Sequence, residues 1–222
     1  MIVLDNLTKS YSLTHGRHYV FKDFSFTFPE NNSIAILGKN GAGKSTLMRI
    51  LGGVDAPDSG RVITDKTISW PVGLSGGFQG SLSARDNIKF VSRVYGYTGE
   101  AMREKIAYVE EFAEIGKYFD QPIKNYSSGM RSRIAFGLSM AFDFDYYLID
   151  EAGAVGDPQF KKKSQAVYDE KLATSNVILV SHNMAEVRAL CQNVVVIQDG
   201  KAVVYTDVEE GIETYQNKRI DI

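Results

Sequence analysis

The chain has 222 residues, 44% apolar and 23% charged, with a net charge of −2, which fits one or two soluble domains with a substantial core and gives no electrostatic basis for binding nucleic acid. Its longest apolar runs, such as NVVVI and VILV, fall far short of the ~20 residues a membrane span needs, and MIVLDNLTKSY lacks the pattern of a secretory signal. The single cysteine, Cys191, excludes an internal disulfide and fits a reducing, cytosolic compartment.

In chain order, MIVLDNLTKSYSL alternates and gives way to polar THGRH. YVFKDFSFTF then resumes the alternation, with Phe24, Phe26 and Phe28 on one face. This predicts antiparallel strands joined by a loop around His15–His18, histidines to which no role is assigned. SIAILG predicts a short buried strand ending in glycine. GKSTLMRILGG predicts a helix with Leu47, Ile50 and Leu51 on one side and a stop at Gly52 and Gly53. A buried strand, a glycine loop and a helix begin a parallel α/β sheet. From about residue 76 to 142 the patterns are helical, as in ARDNIKFVSRVYG and AMREKIAYVEEFAEIG, and predict a helical subdomain inserted into the α/β domain. YYLID and NVILVS are two further apolar strands, Asp199-Gly200 marks a hairpin in VVVIQDGKAVVY, and DVEEGIETYQNK predicts a terminal helix.

GKNGAGKS, from Gly38 to Ser45, fits G-x-x-x-x-G-K-[ST]. Glycines let successive backbone N–H groups turn inward around phosphate oxygens, and the following helix adds its partial positive charge. Lys44 reaches the β- and γ-phosphates, and the Ser45 hydroxyl ligates Mg²⁺. Such a loop needs a carboxylate on the sheet. Asp150 closes the YYLID strand and can hold Mg²⁺ through water; Glu151 follows and can polarise an attacking water as general base. The bland alternative is a strand end with two solvated acids. His182 follows another apolar strand in LVSHN and has two readings, a structural histidine or a ligand of the γ-phosphate. Lys161–Lys163 in FKKKSQ read as a solvated helix face.

With these motifs in place, the chain resembles the nucleotide-binding subunit of ATP-binding cassette (ABC) transporters over essentially its whole length. The matches are ordered: the P-loop at Gly38–Thr46, a glutamine loop at Gln79, a signature at Tyr126–Met130, YYLIDE, Asp157 six residues after Glu151, and His182. The resemblance implies one ABC ATPase domain, residues 1–222. Its P-loop NTPase core with an antiparallel β-subdomain would take 1–75 and 143–222, and its inserted α-helical subdomain 76–142.

It also implies that two copies face head to tail, each ATP lying between the P-loop of one and the signature of the other. Gly38, Asn40, Gly41, Gly43, Lys44, Ser45 and Thr46 would contact the nucleotide, with Ser127, Gly129 and Asp157 completing the site. Tyr11 would stack on adenine, with Tyr19 as the rival. Ser45, Asp150 and Gln79 would serve Mg²⁺, and Glu151, His182, Lys44 and Gln79 catalysis. Ser128 and Met130 depart from the family's Leu-Ser-Gly-Gly-Gln, although Ser127 and Gly129 keep the hydroxyl and the backbone N–H. Leu82 follows Gln79 by three positions, against roughly six in common importers and exporters, so the coupling loop is short.

WPVGLSGGFQG, YSSGMRSR and LIDEAGAVGD together are similar to the ATPases of capsular polysaccharide exporters of Gram-negative bacteria. That implies a peripheral subunit on the cytoplasmic face of the inner membrane. Its partners would be a membrane-spanning permease in two copies, a second copy of itself and, indirectly, periplasmic and outer-membrane export proteins; nucleic acid is not among them. Related O-antigen exporters often add a C-terminal carbohydrate-binding domain; the chain reaches Ile222 after one short helix, so selection is expected in other subunits. Open alternatives are another polymer exporter (O-antigen or teichoic acid), a soluble ABC protein of translation or repair, a P-loop kinase and a weakly hydrolysing regulator.

Overall fold

The computed structural model describes residues 1–14, 16–74, 77–150 and 158–217, with the side chains of 158 and 159 set aside. They fall into two compact units. The first comprises the described parts of Met1–Pro71, Phe144–Ala152 and Ser175–Ile222, the second those of Val72–Asp143 and Gly153–Thr174.

In the first unit β1 (Ile2–Leu13) pairs antiparallel with β2 (Gly16–Phe28) and with β4 (Ser59–Thr64), giving the order β2-β1-β4. A six-stranded sheet has the order β5-β6-β7-β3-β8-β9, from β3 (Ile34–Leu37), β5 (Ile68–Pro71), β6 (Tyr146–Asp150), β7 (Asn176–Val180), β8 (Asn193–Gln198) and β9 (Lys201–Tyr205). It is parallel except for β9, which returns antiparallel to β8 through Asp199 and Gly200, both at positive φ (51° and 74°). That is the expected Asp-Gly hairpin. Helices α1 (Lys44–Leu51), α6 (Met184–Leu190) and α7 (Val208–Asn217) complete the unit. The core joins Ile2, Leu4, Phe21, Phe24 and Phe28 of the antiparallel sheet to Ile34, Ile36, Leu47, Ile50 and Leu51. Each such side chain contributes about 1.5–3 kcal/mol by leaving water. Cys191, just past α6, is 6% exposed, and burial pushes its thiol up to about 12.

The second unit holds α2 (Ala84–Val94), α3 (Gly99–Ala113), α4 (Ser128–Met140) and α5 (Pro158–Leu172), with 3₁₀ turns at Gly116–Asp120 and Ile123–Asn125. Phe112 of α3 stacks on Phe136 of α4 at 5.6 Å and meets Phe160 of α5 edge-on at 5.2 Å. Arg85 bonds Asp120 at 2.6 Å and Glu110 at 3.0 Å, tying the start of α2 to α3 and the first 3₁₀ turn. No described helix is long and apolar enough to cross a membrane.

Local features depart from the sequence reading. The loop placed at His15–His18 is shorter than expected: Leu13 pairs with Gly16, whose φ of 102° suits glycine, and Arg17 and His18 already lie in β2. β4 and β5 lie between Gly53 and residue 76, a stretch to which no element was assigned from the sequence pattern. Residues 158–172, placed with the core by the sequence boundaries, group with the helical unit because Phe160 and Lys163 are anchored there. Lys163 is accordingly no solvated lysine: it donates to Glu114 Oε1 at 2.6 Å and the Phe112 carbonyl at 3.1 Å, while Lys161 and Lys162 are exposed.

One ion pair fastens the loop after α1 to the antiparallel sheet. Lys9 of β1 is only 8% exposed and donates to Asp55 Oδ1 and the Ala56 carbonyl, both at 2.7 Å. The Lys9 bond, and next the Lys9 charge and the Tyr11 hydroxyl, hold the Asp55 carboxyl below its ordinary range against the opposing effect of burial. A folded-state pKa below the unfolded value of about 3.9 stabilises at neutral pH and is lost as pH falls through it. The urea midpoint of Asp55→Asn is therefore expected to lie below that of the parent at neutral pH and to converge on it as the pH falls below the ordinary carboxylate range; parallel pH profiles would rule the pair out as a source of acid sensitivity.

Candidate functional site

β3 is buried along its whole length, with β7 on one side and β8 on the other. A parallel strand in that position delivers the next loop at the carboxyl edge of the sheet, where α/β folds bind ligands. The loop tightens at once: the Ala42 N–H donates to the Lys39 carbonyl at 3.1 Å, and Gly41 and Gly43 adopt φ of 84° and 95°. Gly43 is the N-cap of α1, and its carbonyl accepts from Leu47 N–H at 2.8 Å. A Cβ there would lie 2.5 Å from Val20 Cγ1 and 2.7 Å from Phe21 Cζ, so conformation and space both call for glycine. A Cβ on Gly38 would lie 2.5 Å from the Ile197 carbonyl oxygen.

The Lys44 ammonium folds back over the loop, donating to the carbonyls of Gly38 at 2.8 Å and Lys39 at 3.1 Å. Asn40, Gly41, Gly43, Lys44, Ser45 and Thr46 line a cleft of about 430 Å³, walled on other sides by His18 and Val20 of β2 and by Val180 at the end of β7. The volume is in the range of small-molecule sites. The first turn of α1 opens here and leaves its early amides without intrahelical acceptors, the geometry that attracts an anion.

Other expected residues sit along the same sheet edge. Asp150 ends β6, one strand beyond β7, and pairs in register with Val180. His182 is exposed one residue past Ser181, in a turn fixed by bonds from Ser181 Oγ to Glu186 at 2.7 Å and from Asn183 N–H to Ser181 Oγ at 3.0 Å. The strand order β6-β7-β3 thus brings Asp150, His182 and the P-loop to neighbouring strand ends. The hydroxyl of Ser45 and the carboxylate of Asp150 are hard oxygen donors, the chemistry Mg²⁺ takes alongside phosphate oxygens and water. Glu151 and Asp157 lie outside the described residues.

Tyr11 sits beside α1 and is absent from the cleft wall. Its hydroxyl is 3.4 Å from Thr46 Oγ1, donates to Asp55 at 3.2 Å and accepts from Arg49 at 3.3 Å, with Lys9 over its ring at 5.3 Å. His18, opposite Tyr11 in the hairpin register, does line the cleft. Sequence reasoning missed it. Extending the strand of YVFKDFSFTF one residue backwards would have placed it in β2.

The helical unit carries the rest. Ser127 is the N-cap of α4, and its Oγ accepts from Met130 N–H at 3.2 Å, which leaves the hydroxyl proton to donate elsewhere. Ser128 opens the helix with no positive φ, so serine costs the backbone nothing where the family pattern has glycine. A Cβ on Gly129 would meet only Ser127 Oγ, at 3.9 Å, so this glycine leaves open space above the helix start. Ser127, Gly129 and Met130 border a cleft of about 420 Å³ with Tyr118 and Arg133. Gln79 is exposed, its N–H donating to Asn87 Oδ1 at 2.8 Å and its Nε2 to Ser81 Oγ at 3.2 Å.

The family model described as ABC transporter matches residues 21–154. The polysialic acid transport ATP-binding protein KpsT of Escherichia coli is 55% identical over 217 residues, 97% of this chain and 96% of that protein. The capsule polysaccharide export ATP-binding protein CtrD of Neisseria meningitidis serogroup B (strain ATCC BAA-335 / MC58) is 41% identical over 217 residues, covering 98% and 99%. Among solved structures, the dimeric post-hydrolysis state of the ATP-binding cassette MJ0796 bound to ADP and Pi aligns with a TM-score of 0.68 over 92% of this chain and 98% of that one, and its 21% identity speaks to the fold. A phosphate loop closed over Lys44, neighbouring strand ends bearing Asp150 and His182, and this likeness across the chain lead to one conclusion: the chain belongs to the ABC transporter family, among its ATP-binding proteins.

Proposed function

We propose that the chain is the ATP-hydrolysing subunit of an exporter that moves lipid-linked capsular polysaccharide out of the cytoplasm. What carries the reading is an intact phosphate cradle on a chain that shares 55% identity with a polysaccharide transport ATP-binding protein over nearly its whole length. In this reading two copies close head to tail around two ATP molecules. Lys44 and the amides of the Gly38–Thr46 loop hold the β- and γ-phosphates; for Tyr11 to meet the adenine as expected, its ring would have to leave its place beside α1. His182 bonds the γ-phosphate, and Glu151 takes a proton from the attacking water. Ser127 and Gly129 of the opposite copy donate to the same γ-phosphate, so charge developing there is met from both sides. Asp157 completes the contact between copies. Ser45 and Asp150 would hold Mg²⁺, which when bound would supply Lewis-acid neutralisation of the phosphates.

Closure is transmitted through the Gln79 region to two membrane-spanning subunits, and hydrolysis reopens the pair. The subunit then sits peripherally on the cytoplasmic face of the inner membrane, with periplasmic and outer-membrane export proteins further along the path.

Deleting the gene in its native host is expected to trap lipid-linked capsule polymer in the cytoplasm; a normal capsule would overturn the substrate and leave the ATPase chemistry standing. Glu151→Gln is expected to bind ATP, hydrolyse it at least a hundredfold more slowly, in line with loss of a general base, and accumulate as a closed dimer on size exclusion. Lys44→Ala is expected to lose nucleotide affinity instead. An active Glu151→Gln protein would end the general-base assignment. In mixed dimers a Ser127→Arg subunit is expected to disable the nucleotide site of its partner, and damage confined to its own site would refute the arrangement in trans.

A further inference from the structure

The proposed function gives Gln79 and Ser127 separate tasks, yet the helical unit ties them together. Gln79 is held on both sides by Asn87, which accepts from its N–H at 2.8 Å and donates to its carbonyl at 3.2 Å. Asn87 is 4% exposed and donates also to the Ser83 carbonyl at 2.8 Å. Beyond Gln79 the chain pairs with the segment that leads into the signature. Lys124 N–H donates to the Gly80 carbonyl and Ile123 N–H to the Leu82 carbonyl, both at 2.9 Å, and Ser83 forms an antiparallel bridge with Pro122.

Tyr126 supplies a further tie. It is 3% exposed, and its hydroxyl accepts from Ala84 N–H at 3.4 Å while donating to the Tyr118 carbonyl at 2.7 Å, with the Phe119 carbonyl at 3.2 Å. Ala84 is the first residue of α2, and its amide has no acceptor within its own helix. Tyr126 immediately precedes Ser127, the cap of α4. One buried hydroxyl therefore joins the start of the helix after Gln79 to the start of the signature helix. Two departures from the family pattern meet here. The short step from Gln79 to Leu82 leaves no slack between the paired segments, and a tyrosine stands where the family's leucine carries no hydroxyl.

We propose that Tyr126 is a positioning residue for ATP hydrolysis: with the paired backbone of 80–82 and 123–124, its hydroxyl makes the Gln79 loop and the Ser127 helix start one piece. Motion imposed at Gln79 then reaches Ser127 undiminished. The proposal rests on the reading that Ser127 serves the nucleotide of a partner copy. The carbonyls and the amide that Tyr126 joins are fixed backbone groups, so the loss of its hydroxyl is not repaired by a rotamer change.

Tyr126→Phe keeps the ring and removes only the hydroxyl. In the assembled transporter it is expected to lower kcat roughly tenfold, the rate equivalent of one buried hydrogen bond, while leaving the affinity of its own P-loop for a fluorescent ATP analogue unchanged. A second construction works without that deletion. A Cβ on Gly80 would lie 3.9 Å from Lys124 Cβ, within disulfide range. Gly80→Cys paired with Lys124→Cys is expected to turn over ATP equally well oxidised and reduced, and in the Tyr126→Phe background oxidation is expected to restore turnover, with the urea midpoint of Tyr126→Phe showing the subunit folded under the assay conditions. Wild-type kcat in Tyr126→Phe, or turnover lost on oxidation of the cysteine pair, would overturn the proposal. Failure of the underlying reading shows separately, as a Ser127→Arg subunit that leaves its partner's site intact.

Discussion

β3 is four residues long and hydrogen-bonded on both sides, by β7 and β8, with no side chain reaching solvent. A strand so confined has one direction and one exit point, so the loop from Gly38 leaves the sheet at a fixed place and turns tightly into α1. Everything chemical in this unit is measured from that exit. Lys44 reaches back to the carbonyls of Gly38 and Lys39 because the loop is short enough for its side chain to span it. Asp150 and His182 belong to the same neighbourhood because β6 and β7 are the next strands along the edge. The antiparallel sheet adds the outer wall, with His18 and Val20 standing over the glycines.

The helical unit solves a different problem. Its helices expose α4's first turn, yet the serine there has to point the same way each time. Polar groups at helix starts do this work: Ser127 caps α4, Ser83 caps α2 by accepting from Asp86 N–H, and Tyr126 closes the gap between them. Arg85 adds charge to the same corner. Hydrogen bonding to Asp120 raises the guanidinium pKa first of all, and it in turn draws the Asp120 carboxyl down. The corner is thus held by many partners rather than by apolar packing alone.

The P-loop was legible because each of its residues has a physical task at a fixed spacing, and the hairpin at Asp199-Gly200 because positive φ at both positions selects those residue types. YYLID and NVILV were legible as unbroken apolar runs bounded by polar residues. What stayed hidden depends on tertiary context. β4 opens on Ser-Gly and has no buried face, and β5 has only four residues and ends on proline. His18 read as loop because the turn before it takes fewer residues than THGRH suggested. The serine at position 128 looked like a weakened signature, and only its helical conformation shows that no glycine is required there. The attachment of α5 through Phe160 and Lys163 has no local signal at all, since a lysine that bonds a distant carboxylate is spelled like one in water.

Cys191 is the sole cysteine of the chain and is buried just past α6. Burial pushes its thiol up to about 12, so the reactive thiolate is scarce at neutral pH. The protein is in effect already a cysteine-silent background. A fluorophore or spin label would react preferentially with an exposed cysteine introduced on the P-loop unit or the signature helix, so distances between copies during the nucleotide cycle become measurable without first stripping the native thiol and disturbing the packing around α6.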